Sequence, residues 1–103
     1  TTSFEALWMG VPVITLYGEL HASRVGLSIL SSIGMQDLAA SSDEQCISVA
    51  KDLAMDQQRL VSLRAGLRDL VLHKLCDAEG FTYKVEDAFR DIWQKWCDHH
   101  SRD

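Results

Sequence analysis

The sequence predicts an α/β fold: the second half of a doubly wound domain, mostly helical, with one or two short parallel strands. Three observations predict it. Val13-Ile14-Thr15-Leu16 is a continuous, largely β-branched apolar run of the kind that fits a parallel strand buried on both faces. Helical periodicity flanks that run on both sides. Beyond residue 40 the apolar residues recur at helical spacing through three successive segments.

Each element follows from local signals. Thr2-Ser3-Phe4-Glu5 reads as a capping box, a hydroxyl bonding forward and Glu5 reaching back. Phe4, Leu7 and Trp8 then share one helical face, Gly10 suits the C′ position, and Pro12 prevents continuation. After the strand, Gly18 breaks the run. The next helix starts near His21 or Ala22, buries Ala22, Val25, Ile29, Leu30 and Ile33, and ends at Gly34. Asp37-Leu38-Ala39-Ala40 is too short for periodicity to decide and is a candidate second strand. Ser42-x-x-Gln45 is another capping box, opening a helix that buries Cys46, Ile47, Ala50 and Leu53. Asp56 caps a helix with Leu60, Leu63, Leu67 and Leu70 inward. A last helix runs from about Phe81 to Cys97, with Phe81, Val85, Ala88, Phe89, Ile92 and Trp96 along one face.

This order divides the chain at residue 40. Residues 1–40 read as the end of an α/β lobe, helix-strand-helix-short strand, and residues 41–103 as a helical segment of the same lobe. The sheet is incomplete. A buried strand needs neighbours on both edges, and this chain supplies at most one. The missing strands are expected from sequence upstream, the chain being the last piece of a larger enzyme. A second copy of the chain, through self-association, is the other source.

Composition narrows the function classes. The chain has 103 residues, a formal charge of -5, 47% apolar and 24% charged residues. That is ordinary for a soluble globular domain. No Lys/Arg run gives a cationic face for nucleic acid. No apolar run approaches the ~20 residues of a membrane span. The three cysteines, Cys46, Cys76 and Cys97, are odd in number and lack a C-x-x-C pair. Neither a disulfide framework nor a zinc site is expected, and a reducing, cytoplasmic location fits.

The chemistry concentrates at the front. A helix N-terminus carries unpaired N–H groups and about half a positive charge. At the carboxyl end of a strand it makes an anion site. Thr1 and Thr2 add hydroxyl donors there, and Glu5, one turn in, can accept from a ribose diol. The plain alternative is a helix cap. His21 and Arg24 enter the helix after the strand, at the sheet end where α/β proteins bind ligands, and are candidates to lie near a substrate. Otherwise His21 is a cap or surface residue and Arg24 pairs with a carboxylate such as Glu19. Cys97-Asp98-His99-His100 resembles metal-ligand material but follows the last apolar position, so a frayed end is expected and no metal. Trp93 and Trp96 read as packing anchors. His73 reads as a solvated residue late in a helix.

Residues 1–30, TTSFEALWMGVPVITLYGELHASRVGLSIL, resemble the C-terminal catalytic lobe of the protein O-GlcNAc transferase family, including its bacterial members and the plant SPINDLY-type enzymes. The marks are the Thr-Thr start, the acid three residues on, Leu-Trp-x-Gly-x-Pro-Val, the Gly-Glu turn and Ala-Ser-Arg-Val. The resemblance continues through SSDEQCISVAKDLAMDQQRLVSLRAGLRD to KLCDAEGFTYKVEDAFRDIWQKWC, and so covers nearly the whole chain. It implies a GT-B fold, two Rossmann-like lobes with the donor held mainly by the C-terminal one. It also implies inverting transfer of a sugar, typically GlcNAc from UDP-GlcNAc, to Ser or Thr hydroxyls of proteins. The resemblance implies no metal; helix dipole and side-chain donors stabilise the departing diphosphate. Acceptor proteins would be presented by upstream tetratricopeptide repeats. By motif, Thr1 and Thr2 would contact the donor diphosphate and Glu5 the ribose, where animal members carry Asp. The family's Gly-His pair, phosphate-neutralising lysine, uracil pocket and candidate bases lie upstream of these motifs. The catalytic groups are therefore expected outside this chain, and the 103-residue chain is expected to be inactive alone. The rivals are an O-fucosyl- or glucosyltransferase of the same family and a non-catalytic helical interaction module. In GT-B enzymes the last helix often crosses to the other lobe, which would leave part of its apolar face exposed here.

Overall fold

The structure is a computed structural model and describes residues 1–101. The order is α1 (Thr2–Trp8), β1 (Thr15–Leu16), α2 (His21–Ser32), a 3-10 turn (Gln36–Leu38), β2 (Ala39–Ala40), α3 (Asp43–Met55), α4 (Gln57–Lys74) and α5 (Ala78–His100). β1 and β2 pair in parallel, Thr15 opposite Ala39 and Leu16 opposite Ala40. The Tyr17 N–H extends the ladder, donating to the Ala40 carbonyl at 2.8 Å. The second strand anticipated within Asp37–Ala40 is therefore its last two residues.

β1 is shorter than its sequence suggests. Only Thr15 and Leu16 are in strand, and Leu16 is 47% exposed rather than buried on both faces. Among the described residues the sheet has two strands, so pairing stops early and one face of the strand is uncovered.

Two glycines end helices in the same way. Gly10 (φ 79°) and Gly34 (φ 75°) adopt the left-handed conformation. After α1, the N–H groups of Gly10 and Val11 donate to the Leu7 and Ala6 carbonyls at 3.0 and 2.9 Å. After α2, those of Gly34 and Met35 donate to Ser31 and Leu30 at 3.1 and 2.8 Å. This paired pattern is the Schellman motif, which closes the last turn and reverses the chain. It turns α1 back toward β1 and α2 back toward β2.

The later caps form as their residues imply. Ser42 Oγ accepts from the Gln45 N–H at 3.2 Å, and Gln45 Oε1 reaches back to the Ser41 N–H at 2.9 Å. Asp56 Oδ1 accepts from the Arg59 N–H at 3.0 Å. Asp77, which the sequence reading left out, caps α5 through Gly80 at 3.0 Å. α5 accordingly starts three residues before Phe81 and continues to His100.

One hydrophobic cluster runs through both halves of the chain. Leu7, Leu30, Leu38 and Leu67 are at most 1% exposed, with Ile29, Ile33, Leu53 and Val71 around them. Leu60, Leu63 and Leu70 pack against that cluster as expected. Three faces differ from their expected burial. In α2, Ala22 and Val25 are exposed and Leu27 packs inward instead. In α3, Ile47 and Ala50 are exposed while Val49 joins Leu53. In α5 nothing is buried: Phe81, Phe89, Ile92, Trp93 and Trp96 are all more than half exposed. The helical period was right in α5, but no element of the described residues covers the face it creates. The Cα radius of gyration, 17.9 Å, exceeds the ~13 Å of a compact domain of this length because α5 projects from the rest.

Candidate functional site

The site forms where two helices begin. The Thr1 carbonyl accepts the Glu5 N–H at 3.1 Å, which makes Thr1 the N-cap residue of α1. Among the described residues no side chain caps this end. The capping box expected over Thr2-Ser3-Phe4-Glu5 does not form, because the helix starts one residue earlier than that box requires. The position three after Thr1 is Phe4, which has no group to reach back, and Glu5 falls one place too far along. The first-turn N–H groups and the hydroxyls of Thr1 and Thr2 are thereby free for a ligand, at the positive end of the helix. Thr1, Thr2 and Glu5 are exposed.

α2 begins directly after β1, at the carboxyl end of the strand. Its first turn is held by Ser23, whose Oγ donates to the Leu20 carbonyl at 2.7 Å and accepts from the Gly18 N–H at 3.2 Å. Arg24 does not pair with Glu19. Its Nη1 donates to the Gly18 carbonyl at 2.8 Å, and its guanidinium lies 5.3 Å from the Tyr17 ring centroid. This fixes Arg24 against the end of the strand with donors to spare, since a guanidinium carries five. His21, the first residue of α2, is exposed.

An open groove of about 840 Å³ brings His21 and Arg24 together with Glu19, Val25 and Ser28, and with Phe4 from the first turn of α1. Thr1, Thr2 and Glu5 do not line it; they occupy the same helical turn as Phe4, beside it. The groove thus joins the two helix starts and leaves the expected diphosphate contacts at its margin. Sequence reasoning missed Phe4 and Glu19 as groove residues. Phe4 carries a core pattern, and only its 42% exposure shows that it is not core. The exposure of Val25 has the same source: it faces the groove rather than the interior.

The other candidates stay apart from this groove. The Cys97–His100 segment is helical, not frayed, and His100 Nδ1 lies 2.9 Å from the Trp96 carbonyl. Among the described residues no three His, Cys, Asp or Glu side chains converge as metal ligands would. Trp93 and Trp96 stack on each other, centroids 5.2 Å apart, and are exposed rather than anchored in a core. His73 is exposed in the last turn of α4, as expected, 2.7 Å from the Asp69 carbonyl. No helix of the described residues is long and apolar enough to cross a membrane.

A helix-strand-helix unit with both helix starts at one groove beyond a parallel strand, followed by a helical tail, defines part of a Rossmann-like lobe. The fold matches a solved mutant structure of Thermobaculum terrenum O-GlcNAc transferase, with a TM-score of 0.78 and 41% identity over 94% of this chain and 19% of that one. It is the fold of the corresponding piece of a GT-B lobe. The chain belongs to glycosyl transferase family 41, whose model matches residues 1–85. Among its relatives is a barley (Hordeum vulgare) protein named probable UDP-N-acetylglucosamine–peptide N-acetylglucosaminyltransferase SPINDLY, 42% identical over 98% of this chain. A Caenorhabditis elegans UDP-N-acetylglucosamine–peptide N-acetylglucosaminyltransferase is 30% identical over 93% of it. The chain spans 11% of the barley protein and 8% of the nematode one.

Proposed function

We propose that this chain is the donor-leaving-group end of an inverting protein glycosyltransferase that moves GlcNAc from UDP-GlcNAc to Ser or Thr hydroxyls. The observation that carries the reading is the uncapped start of α1, with two unengaged threonine hydroxyls beside a groove that holds an imidazole and a tethered guanidinium. The first-turn N–H groups, Thr1 and Thr2 would bind the diphosphate, and Glu5 the ribose hydroxyls. His21 and Arg24 would face the sugar or the developing charge. In inverting transfer the sugar–phosphate bond breaks as the acceptor oxygen attacks, and negative charge grows on the departing diphosphate. Fixed donors aimed at that charge lower the barrier without a metal ion. The general base, the uracil pocket and the repeats that would present acceptor proteins belong to the rest of the catalytic region, so the 103-residue chain would have no activity alone. A cytoplasmic location goes with this reading.

The test is donor kinetics in the full-length protein that carries this segment. Replacing Thr1 and Thr2 together by valine removes two hydroxyl donors to a charged group and keeps the side-chain shape. Hydrogen bonds to charged groups contribute about 1.5–3 kcal/mol each, so the loss of even one of the two should raise the donor KM or Kd at least about tenfold. Unchanged donor binding would overturn the proposal. The uncovered face of α5 favours a second reading, a helical interaction module without catalysis, and under that reading no nucleotide sugar would bind at all. A third keeps the site and changes the donor to GDP-fucose or UDP-glucose; competition among the three nucleotide sugars separates these.

A further inference from the structure

α1 has seven residues, too few to hold a helix by its own hydrogen bonds. Its direction must come from what it packs on, and that is α4. Leu7 is fully buried in the shared core. Beyond it, two arginines of α4 grip the carboxyl end of α1. Arg64 Nη1 donates to the Met9 carbonyl at 2.7 Å, and Arg68 Nε donates to the Trp8 carbonyl at 2.9 Å. The Arg68 guanidinium also lies 5.0 Å from the Trp8 ring centroid. Both carbonyls lie at the negative end of the helix, where a cation is favoured. The fit is close: a Cβ on Gly10 would stand 2.8 Å from the Arg64 carbonyl oxygen.

We propose that Arg64 and Arg68 are positioning residues for the donor, a two-point clamp that aims the amino end of α1 at the diphosphate by fixing its carboxyl end. The inference rests on the donor reading above. A rod seven residues long transmits a tilt at one end directly to the other, about 10 Å away at 1.5 Å per residue. A shift of that end by a fraction of an ångström misaligns every first-turn N–H with the same phosphate, and charge-assisted bonds are sensitive to such misalignment. The clamp also assigns a role to the helical tail: through Arg64 and Arg68, α4 acts on the donor by way of α1.

The experiment compares Arg64→Ala, Arg68→Ala, Arg64→Lys and Thr1→Val/Thr2→Val in the full-length protein, with separate KM values for UDP-GlcNAc and for an acceptor peptide. Kinetics are scaled to the folded fraction from thermal melts. Each alanine variant should raise the donor KM about three- to tenfold and leave the acceptor KM unchanged, because misaligning the first-turn donors weakens their bonds to the diphosphate by about the worth of one ordinary hydrogen bond. Arg64→Lys keeps a cationic donor for the Met9 carbonyl and should recover most of the loss. If the alanine variants lower only the amount of active protein, with donor KM unchanged, or raise both KM values equally, the clamp is ordinary structure and the inference is overturned. If the threonine variant is also silent, the donor reading has failed and takes this inference with it. A threonine effect without an arginine effect removes the clamp alone.

Discussion

Gly10→Ala and Gly34→Ala form a matched pair that isolates the contact between α1 and α4. Both glycines have positive φ, 79° and 75°, and both close a Schellman motif. Placing an L-residue there costs about 1–2 kcal/mol at either site. The surroundings differ. At Gly34 an added Cβ meets nothing within 4 Å. At Gly10 it would lie 2.8 Å from the Arg64 carbonyl oxygen and 3.2 Å from Arg64 Cδ. The first is backbone inside a helix and cannot swing aside, so α1 must move off α4 by several tenths of an ångström. That loosens the bonds from Arg64 and Arg68, at a cost of roughly 1 kcal/mol each. The expected losses are about 1–2 kcal/mol for Gly34→Ala and about 3–4 kcal/mol for Gly10→Ala. Urea unfolding followed by far-UV circular dichroism measures both. Equal losses, or a larger one at Gly34, would refute the claim that Gly10 is glycine because of the approach of α4.

Two further predictions concern the core and the last helix. Leu67→Ala, at a side chain of the core cluster only 1% exposed, should cost about 2–5 kcal/mol in the same unfolding experiment. Phe89→Ser with Ile92→Ser should change the stability of the 103-residue chain by no more than about 0.5 kcal/mol per site, because both side chains are more than 60% exposed; a loss of core magnitude would show that α5 packs on the domain.

Local signals in the sequence proved the most legible. Ser42 with Gln45, and Asp56, cap their helices because a cap needs only residues within three or four positions. Gly10 and Gly34 could be read as helix ends for the same reason. The parallel pairing of β1 was legible in its β-branched apolar run, although only Thr15 and Leu16 of that run form strand and Leu16 is half exposed. The capping box at Thr2 failed on a shift of one residue, which no periodicity can detect. Burial was misjudged where the partner is not this chain's interior. Val25 faces a groove, Ile47 and the apolar row of α5 face solvent, yet all three carry the helical spacing of core residues. The clamp of Arg64 and Arg68 could not be read at all, since it joins residues 55 and 60 positions apart. Of the site, the sequence offered Thr1, Thr2, Glu5, His21 and Arg24 as separate points; the groove joining the two helix starts, with Phe4 between them, is visible only in three dimensions.

Hydrogen exchange at the backbone of residues 2–4, in the full-length protein with and without UDP, tests most directly whether the start of α1 holds a diphosphate. These amides have no intrahelical partner, so the account predicts fast exchange in the free protein and marked slowing at saturating UDP. Exchange that stays equally fast while calorimetry shows UDP bound would contradict it.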